Sequence, residues 1–126
     1  MKPSLLFLLL LGFTQGIGAA SCFDTAMTTA SMADCAEKDR RDTDKDLNRV
    51  YKQLMKRHET DTLFKSKLKK AQRAWLAFRD QDLELANVGG SVATMCMRNR
   101  LAQLNTERTA YLKSLLEATE GDVCAP

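Results

Sequence analysis

Apolar residues recur at intervals of three and four in three long segments of the 126-residue chain. This spacing places them on one face of an α-helix. With only six Gly and two Pro, the chain carries few residues that interrupt helices. The sequence predicts an all-α fold. The three stripes are Leu47, Val50, Tyr51, Leu54 and His58; Phe64, Leu68, Ala71, Trp75, Phe78 or Arg79, and Asp82 or Leu83; and Met97, Leu101, Leu104, Arg108, Tyr111, Leu112 and Leu115.

Two polar breaks, residues 59–62 and 87–91, separate the stripes. In the second break the glycines can adopt the left-handed backbone conformation that ends one helix, and Ser91 can cap the next helix. A short helix over 24–33 precedes a helix from about 34 to 58. Short connections make neighbouring helices antiparallel. We therefore expect a small antiparallel bundle of three long helices plus a short N-terminal helix, braced by disulfides.

The N-terminal segment has the pattern of a secretory signal peptide. Lys2 is followed by the apolar run 5–11 and then by small residues ending at Ala20. The run is too short to span a bilayer. We expect a signal peptide over 1–20, a single helical domain over 21–126, and a periplasmic or secreted protein. The alternative is lipidation at Cys22, because residues 19–22 loosely resemble a lipoprotein cleavage box.

All four cysteines lie beyond that leader, and an even number in an oxidising compartment predicts two disulfides. The end of the bundle that holds the Gly-Gly-Ser loop is named the loop pole. The helix order puts Cys35 and Cys96 at the loop pole and Cys22 and Cys124 toward the opposite end. The favoured pairing is Cys35 with Cys96 and Cys22 with Cys124, and the alternative is Cys22 with Cys35.

No arrangement of catalytic or metal-binding residues stands out. The only histidine, His58, has no nucleophile motif near it, and the carboxylates Asp80 and Asp82 point to different helix faces. The acids of residues 42–46 are spaced like the start of a calcium loop, but Leu47 stands where that loop needs glycine. We expect neither an enzyme nor a bound metal or cofactor.

The charge balance argues against general nucleic-acid binding. Beyond residue 20, 18 Lys and Arg face 16 Asp and Glu, a net charge of +2. The basic run from Lys65 to Arg73 is interpreted as a solvated helix face, and no nucleic-acid partner is expected.

Polar residues interrupt the apolar stripes. A buried polar group must be hydrogen-bonded, since an unpaired one is costly. We expect these residues to satisfy one another across helices and to fix the helix register; the alternative is a part in a binding surface. They are Asp44, Asn48, Gln72, Arg79 and Arg108, with Trp75 among them.

Taken together, several motifs resemble the LprI-type lysozyme-inhibitor family. They are Cys22 and Cys35, Asp44-x-x-Leu47-Asn48-x-x-Tyr51, Gln72-Arg73-Ala74-Trp75-x-x-Phe78-Arg79-Asp80, Gly89-Gly90-Ser91 and Leu104-x-x-x-Arg108. The resemblance spans the mature chain and implies a small secreted helical protein whose namesake inhibits lysozyme. Similar proteins commonly carry two further cysteines, which here are replaced by Leu83 and Arg100.

A lysozyme inhibitor needs no chemistry; it must fill a cleft that holds two carboxyl groups. We expect non-covalent binding and occlusion by the loop, with hydrogen bonds from Ser91 and the glycine amides and an ion pair from Arg98 or Arg100. Acidic residues at the loop pole would steer it toward a cationic lysozyme. The candidate partner-binding residues are Asn87, Gly89, Gly90, Ser91, Asp80, Asp82 and Arg98.

Two other functions fit the same sequence. One alternative is an immunity or adaptor protein that binds another secreted toxin or cell-envelope enzyme. An interface on residues Lys65 to Arg73 would favour this alternative. The other alternative is a structural envelope protein. Lipidation at Cys22 would favour it.

Overall fold

A computed structural model describes residues 21–118. It contains four helices in this range: α1 (Cys22–Thr25), α2 (Thr29–Arg57), α3 (Thr62–Leu85) and α4 (Ala93–Glu117). The predicted all-α fold of three long helices and a short N-terminal one is confirmed. The predicted signal peptide and Cys124 lie outside the described residues.

Two capping boxes fix the N-terminal helices. Ser21 caps α1, and Asp24 accepts a hydrogen bond from the Ser21 N–H at 2.6 Å. Thr28 and Ser31 cap α2 in the same reciprocal way, at 3.0 and 3.1 Å. As a result α1 is a single turn and α2 begins earlier than predicted. The expected helix over 24–33 was wrong, because Thr28 caps α2 and the helix begins within that range.

The first predicted break is confirmed. Helix α2 ends at Arg57, and Asp61 caps α3 by accepting a hydrogen bond from the Phe64 N–H at 2.8 Å. The ring of His58 stacks on Phe64 with centroids 3.8 Å apart. His58 is thus part of the packing at this turn.

The three long helices run up, down and up. Helix α4 lies along α2 in parallel: Arg98 donates to the Ala33 carbonyl at one end, and Arg57 donates to the carbonyls of Leu116 and Ala118 at the other. Helix α3 runs antiparallel to both. Its contact with α4 is much less extensive than that between α2 and α4. The loop pole therefore holds the starts of α2 and α4 and the end of α3, as predicted.

The buried core lies toward the other end, named the basic pole: the ends of α2 and α4 and the start of α3. Leu54, Leu112 and Val50 are fully buried there. Nearer the loop pole the buried residues of the α2–α4 contact include the small Ala36 and Ala102. None of the helices between residues 21 and 118 has the length and apolar character needed to cross a membrane.

The favoured disulfide pairing was wrong. Cys22 is bonded to Cys35, with Cα atoms 5.6 Å apart, and Cys96 has no partner among residues 21–118. The physical reason is the short α1: the chain reverses at residues 26–28 and brings Cys22 back beside the first turns of α2. Cys22 therefore lies at the loop pole and not at the opposite end of the bundle. The alternative pairing, Cys22 with Cys35, requires this position.

Candidate functional site

The loop between α3 and α4 has an uncommon backbone. Gly89 and Gly90 have φ of +74° and +70°, a region that side chains disfavour. A Cβ built on either glycine meets no atom within 4 Å, so conformation and not space demands glycine. Residues 87–91 are all exposed. The loop is a fully exposed connection at the end of the bundle.

The predicted cap by Ser91 was wrong. Val92 occupies the cap position of α4, and no side chain bonds to the backbone there. The Ser91 and Asn87 side chains make no hydrogen bond within residues 21–118. The start of α4 thus offers uncapped N–H groups and a free hydroxyl, which are donors suited to an anionic group.

Apolar side chains flank this loop. Leu85 is 83% exposed, Val88 66% and Val92 39%. Met27 and Met32 are also exposed where α2 begins, at the same pole. Sequence reasoning missed these residues, although Val88 and Val92 bracket the glycines and Leu85 falls outside the apolar stripe of α3. Exposed apolar side chains gathered at one end of a small protein are typical of an interaction site.

Arg98, a predicted partner-binding residue, is half-buried and contacts α2 from α4. Its Nε lies 3.2 Å from Glu37 and its Nη1 donates to the Ala33 carbonyl at 3.3 Å. Glu37 also accepts two hydrogen bonds from Arg40, at 2.7 and 2.9 Å. The Arg40 hydrogen bond, with the charges of Arg98 and Arg41, lowers the pKa of Glu37 to about 2. The structure thus uses Arg98 to tie α4 to α2.

Asp82 is similarly engaged. It accepts a hydrogen bond from Arg100 at 2.6 Å, joining the end of α3 to the start of α4, and raises the pKa of Arg100 above its ordinary value. Asp80 is exposed and pairs with the adjacent Arg79 at 2.9 Å. Glu37, Asp80 and Asp82 at the loop pole are thus each paired with a neighbouring cation, which weakens the expected steering of a cationic partner.

The predicted polar network forms in two parts. On α2, Asn48 donates to the Asp44 carbonyl at 2.9 Å and to its carboxylate at 3.3 Å. Between α3 and α4, Arg108 donates to the Gln72 side chain at 3.0 Å. Only the second part joins two helices.

Trp75 organises the arginines of the second part. The guanidinium groups of Arg79 and Arg108 lie 5.5 and 5.7 Å from its ring centroid, and that of Arg108 lies 5.1 Å from the ring of Tyr111. Burial lowers the pKa of Arg108 from its ordinary value. The aromatic rings therefore provide favourable contacts for these two half-buried guanidinium groups.

A family model for the lysozyme inhibitor LprI matches residues 22–112, most of the chain. The chain belongs to the LprI lysozyme-inhibitor family. An uncharacterized protein of Rhizobium meliloti (strain 1021) is 37% identical over 100 residues, covering 68% of this chain and 72% of the relative. No solved structure matches the chain significantly.

The resemblance noted in the sequence predicts that Leu83 and Arg100 replace two cysteines of similar proteins. In this chain the neighbouring Asp82 forms an ion pair with Arg100 across the same two helices. A non-covalent link therefore joins α3 and α4 close to the loop. No group of three or more His, Cys, Asp or Glu that could hold a metal ion occurs within the described part of the chain.

Proposed function

We propose that this LprI family member inhibits lysozyme by inserting the loop of residues 87–92 into the substrate cleft, outside the cytoplasm. Family membership supports lysozyme as the target. The apolar, leader-like sequence 1–20 and the Cys22–Cys35 bond support an oxidising compartment, the periplasm or the exterior.

The observation that supports this mode of binding is that polar groups of the loop have no hydrogen-bond partner within residues 21–118. The Ser91 hydroxyl has no hydrogen-bond partner within residues 21–118, α4 begins without a side-chain cap, and two glycines bring no side chains to the loop. Lysozyme presents two carboxyl groups in its cleft. Backbone N–H groups at a helix start and a hydroxyl donor are suited to a carboxylate.

Apolar contacts supply the rest of the interface. Leu85, Val88 and Val92 surround the loop and are exposed in this structure. Their burial against the rim of a cleft would contribute more to affinity than the few polar contacts at the tip. Asp82 and Arg98 act indirectly in this proposal, because their ion pairs hold the helices from which the loop projects.

The test is titration of the purified, oxidised protein against c-type and g-type lysozymes while following cell-wall lysis. Ser91→Arg should raise the half-inhibitory concentration by about tenfold or more, because it blocks the tip. Ser66→Arg makes the same change on the exposed surface of α3 toward the basic pole and should change it by less than about twofold.

Two results would contradict the proposal. No inhibition at micromolar excess of the oxidised protein would leave the immunity or adaptor alternative, with a different secreted target. Inhibition that Ser66→Arg weakens as much as Ser91→Arg would move the interface away from the loop.

A further inference from the structure

A groove separates α2 from α3. It arises because α4 packs closely along α2, whereas α3 has a less extensive contact with the bundle. Its volume is about 360 Å³, within the range of small-molecule sites. The groove is lined by Asp44, Leu47, Asn48, Tyr51, Lys69, Gln72, Arg73, Leu76 and Arg79, so the polar stripe residues of α2 and α3 converge here.

The groove offers hydrogen-bonding atoms of both kinds. On the α2 wall, the Asn48 Oδ1 and one Asp44 carboxylate oxygen have no partner among residues 21–118. On the α3 wall, Gln72 uses its oxygen to bind Arg108 and leaves its NH₂ group free. Hydroxyl groups donate and accept at once, so acceptors on one wall and donors on the other match a polyhydroxylated ligand.

The lining of the groove also includes apolar residues, and its basic residues lie toward one end. Leu47, Tyr51 and Leu76 supply apolar surface beneath the polar groups. Because the helices are antiparallel, Asp44 lies near the Arg79 end, while Lys69 and Arg73 lie toward the Tyr51 end. Sugar rings combine an apolar face with a rim of hydroxyls, which this lining complements.

The cations at the Lys69 end are free to bind anions. Every ion pair within residues 21–118 involves residues 37–49, 79–82 or 98–100 only. Within these described residues, Lys69 and Arg73 have no carboxylate partner, nor do Lys52 and Lys56 in the shallow depression that continues from Asp44 and Asn48 along α2. Unpaired cations beside a groove concentrate anionic ligands there.

We propose that the α2–α3 groove binds a short segment of an acidic glycan, a sugar chain that carries carboxylates. Sugar hydroxyls contact Asp44, Asn48 and Gln72, and a carboxylate contacts Arg73 and Lys69. The site is distinct from the loop and independent of lysozyme inhibition. Glycan binding would hold the inhibitor on the kind of polymer that lysozyme cleaves.

The experiment is isothermal titration of the oxidised protein with tetragalacturonate, using neutral maltotetraose and inorganic tripolyphosphate as comparison probes. Tetragalacturonate should bind about tenfold or more tightly than maltotetraose, because only it has carboxylates for Arg73 and Lys69. Tripolyphosphate has charge without hydroxyl-bearing rings and should bind more weakly than tetragalacturonate.

Two pairs of variants locate the site. Arg73→Gln should weaken tetragalacturonate binding about fivefold or more, whereas Lys113→Gln removes the same charge from exposed α4 and should change it less than about twofold. Asn48→Ala should weaken binding while Asn99→Ala, also at an exposed position, should not. All four positions lie outside the buried core, and circular dichroism checks the fold.

The proposal is overturned by any of three results. One is no binding of tetragalacturonate at millimolar concentration. Another is an equal loss in the Arg73→Gln and Lys113→Gln proteins, which would show attraction by net charge alone. The third is tripolyphosphate binding as tightly as the oligosaccharide with the same dependence on Arg73, which would make the site an anion site.

Discussion

Asn105 is fully buried on α4, in the stretch that packs against α2. Neither its Nδ2 nor its Oδ1 has a hydrogen-bond partner within residues 21–118. Its backbone carbonyl accepts the Thr109 hydroxyl at 2.7 Å, so only the side-chain amide lacks partners. A buried amide of this kind opposes folding by its lost hydration.

Replacing Asn105 with leucine should therefore stabilise the protein. Leucine has the same number and branching of side-chain heavy atoms and no polar atoms, so we expect the free energy of unfolding to rise by about 1–2 kcal/mol. Urea unfolding followed by circular dichroism measures it. Asn99→Leu, at an exposed position of the same helix, should change the value by less than about 0.5 kcal/mol. A less stable Asn105→Leu protein would show that the amide is satisfied in solution.

Glu37 links pH to stability. Its pKa is about 2 in the folded protein against an ordinary value of 4.5, chiefly because Arg40 donates hydrogen bonds to the carboxylate. A lowered pKa in the folded state means that the ionised form stabilises folding. This contribution is complete above about pH 4.5 and is lost as the pH falls toward 2.

We expect Glu37→Gln to melt at a lower temperature than the unsubstituted protein at pH 6, with the difference shrinking steadily from pH 4.5 to pH 2. Thermal unfolding at closely spaced pH values measures it. Glu84→Gln removes an exposed carboxylate of α3 that has no ion-pair partner in the described chain and should leave the melting temperature unchanged. A constant difference across the pH range would exclude this role for ionised Glu37.

The disulfide is the covalent link between α1 and α2. It closes a loop over a sequence separation of 13 residues. Cys22→Ser should lower the free energy of unfolding by about 2–3 kcal/mol on the chain-entropy model, while α2, α3 and α4 remain helical. Urea unfolding of the oxidised proteins measures this loss. Cys96→Ser is the matched control and should change the free energy of unfolding little. A large decrease in the Cys96→Ser protein would instead support the Cys35–Cys96 pairing.

The sequence predicts elements better than it predicts their long-range pairing. The breaks around Asp61 and Gly89 are local signals, since a capping carboxylate and positive-φ glycines each act within a few residues. The pairing of Cys22 depends on a chain reversal at residues 26–28 that contains no glycine or proline. The start of α2 was predicted near residue 34, whereas the capping box of Thr28 and Ser31 begins the helix at Thr29.

The candidate site follows the same rule. The exposed loop was predictable, because glycines and polar residues interrupt two apolar stripes. The engagement of Arg98 with Glu37 and of Asp82 with Arg100 was not, because these contacts join different helices and depend on how the helices pack. The unpaired hydroxyl of Ser91 also depends on where α4 begins, and local sequence gives helix boundaries only to within a few residues.

At the scale of the whole molecule, the two ends differ in packing. The large buried side chains Leu54, Leu68 and Leu112 lie toward the basic pole, while Phe78 and Leu85 of α3 are exposed at 55% and 83%. Local opening is easiest where few apolar contacts hold an element. The last turns of α3 are therefore the weakest part of the bundle, secured mainly by Asp82 and Arg100.

Native-state hydrogen exchange should reveal this gradient. Amides of residues 80–85 should exchange about tenfold or more faster than those of residues 68–75 in the same helix. The middle of α2 serves as an internal reference, because Leu47, Val50 and Leu54 are buried there. Uniform protection along α3 would mean that its two halves open together and that the ion pair holds the loop end as firmly as the core does.

The separation of paired and unpaired charges also has a consequence for orientation. Among residues 21–118, cations without a carboxylate partner gather toward the basic pole, while acids paired with arginines lie toward the loop. An electric field exerts a torque on such a molecule before any contact forms. At a negatively charged cell wall, which the proposed location outside the cytoplasm would supply, the basic pole would turn inward and the glycine loop would point away from the wall.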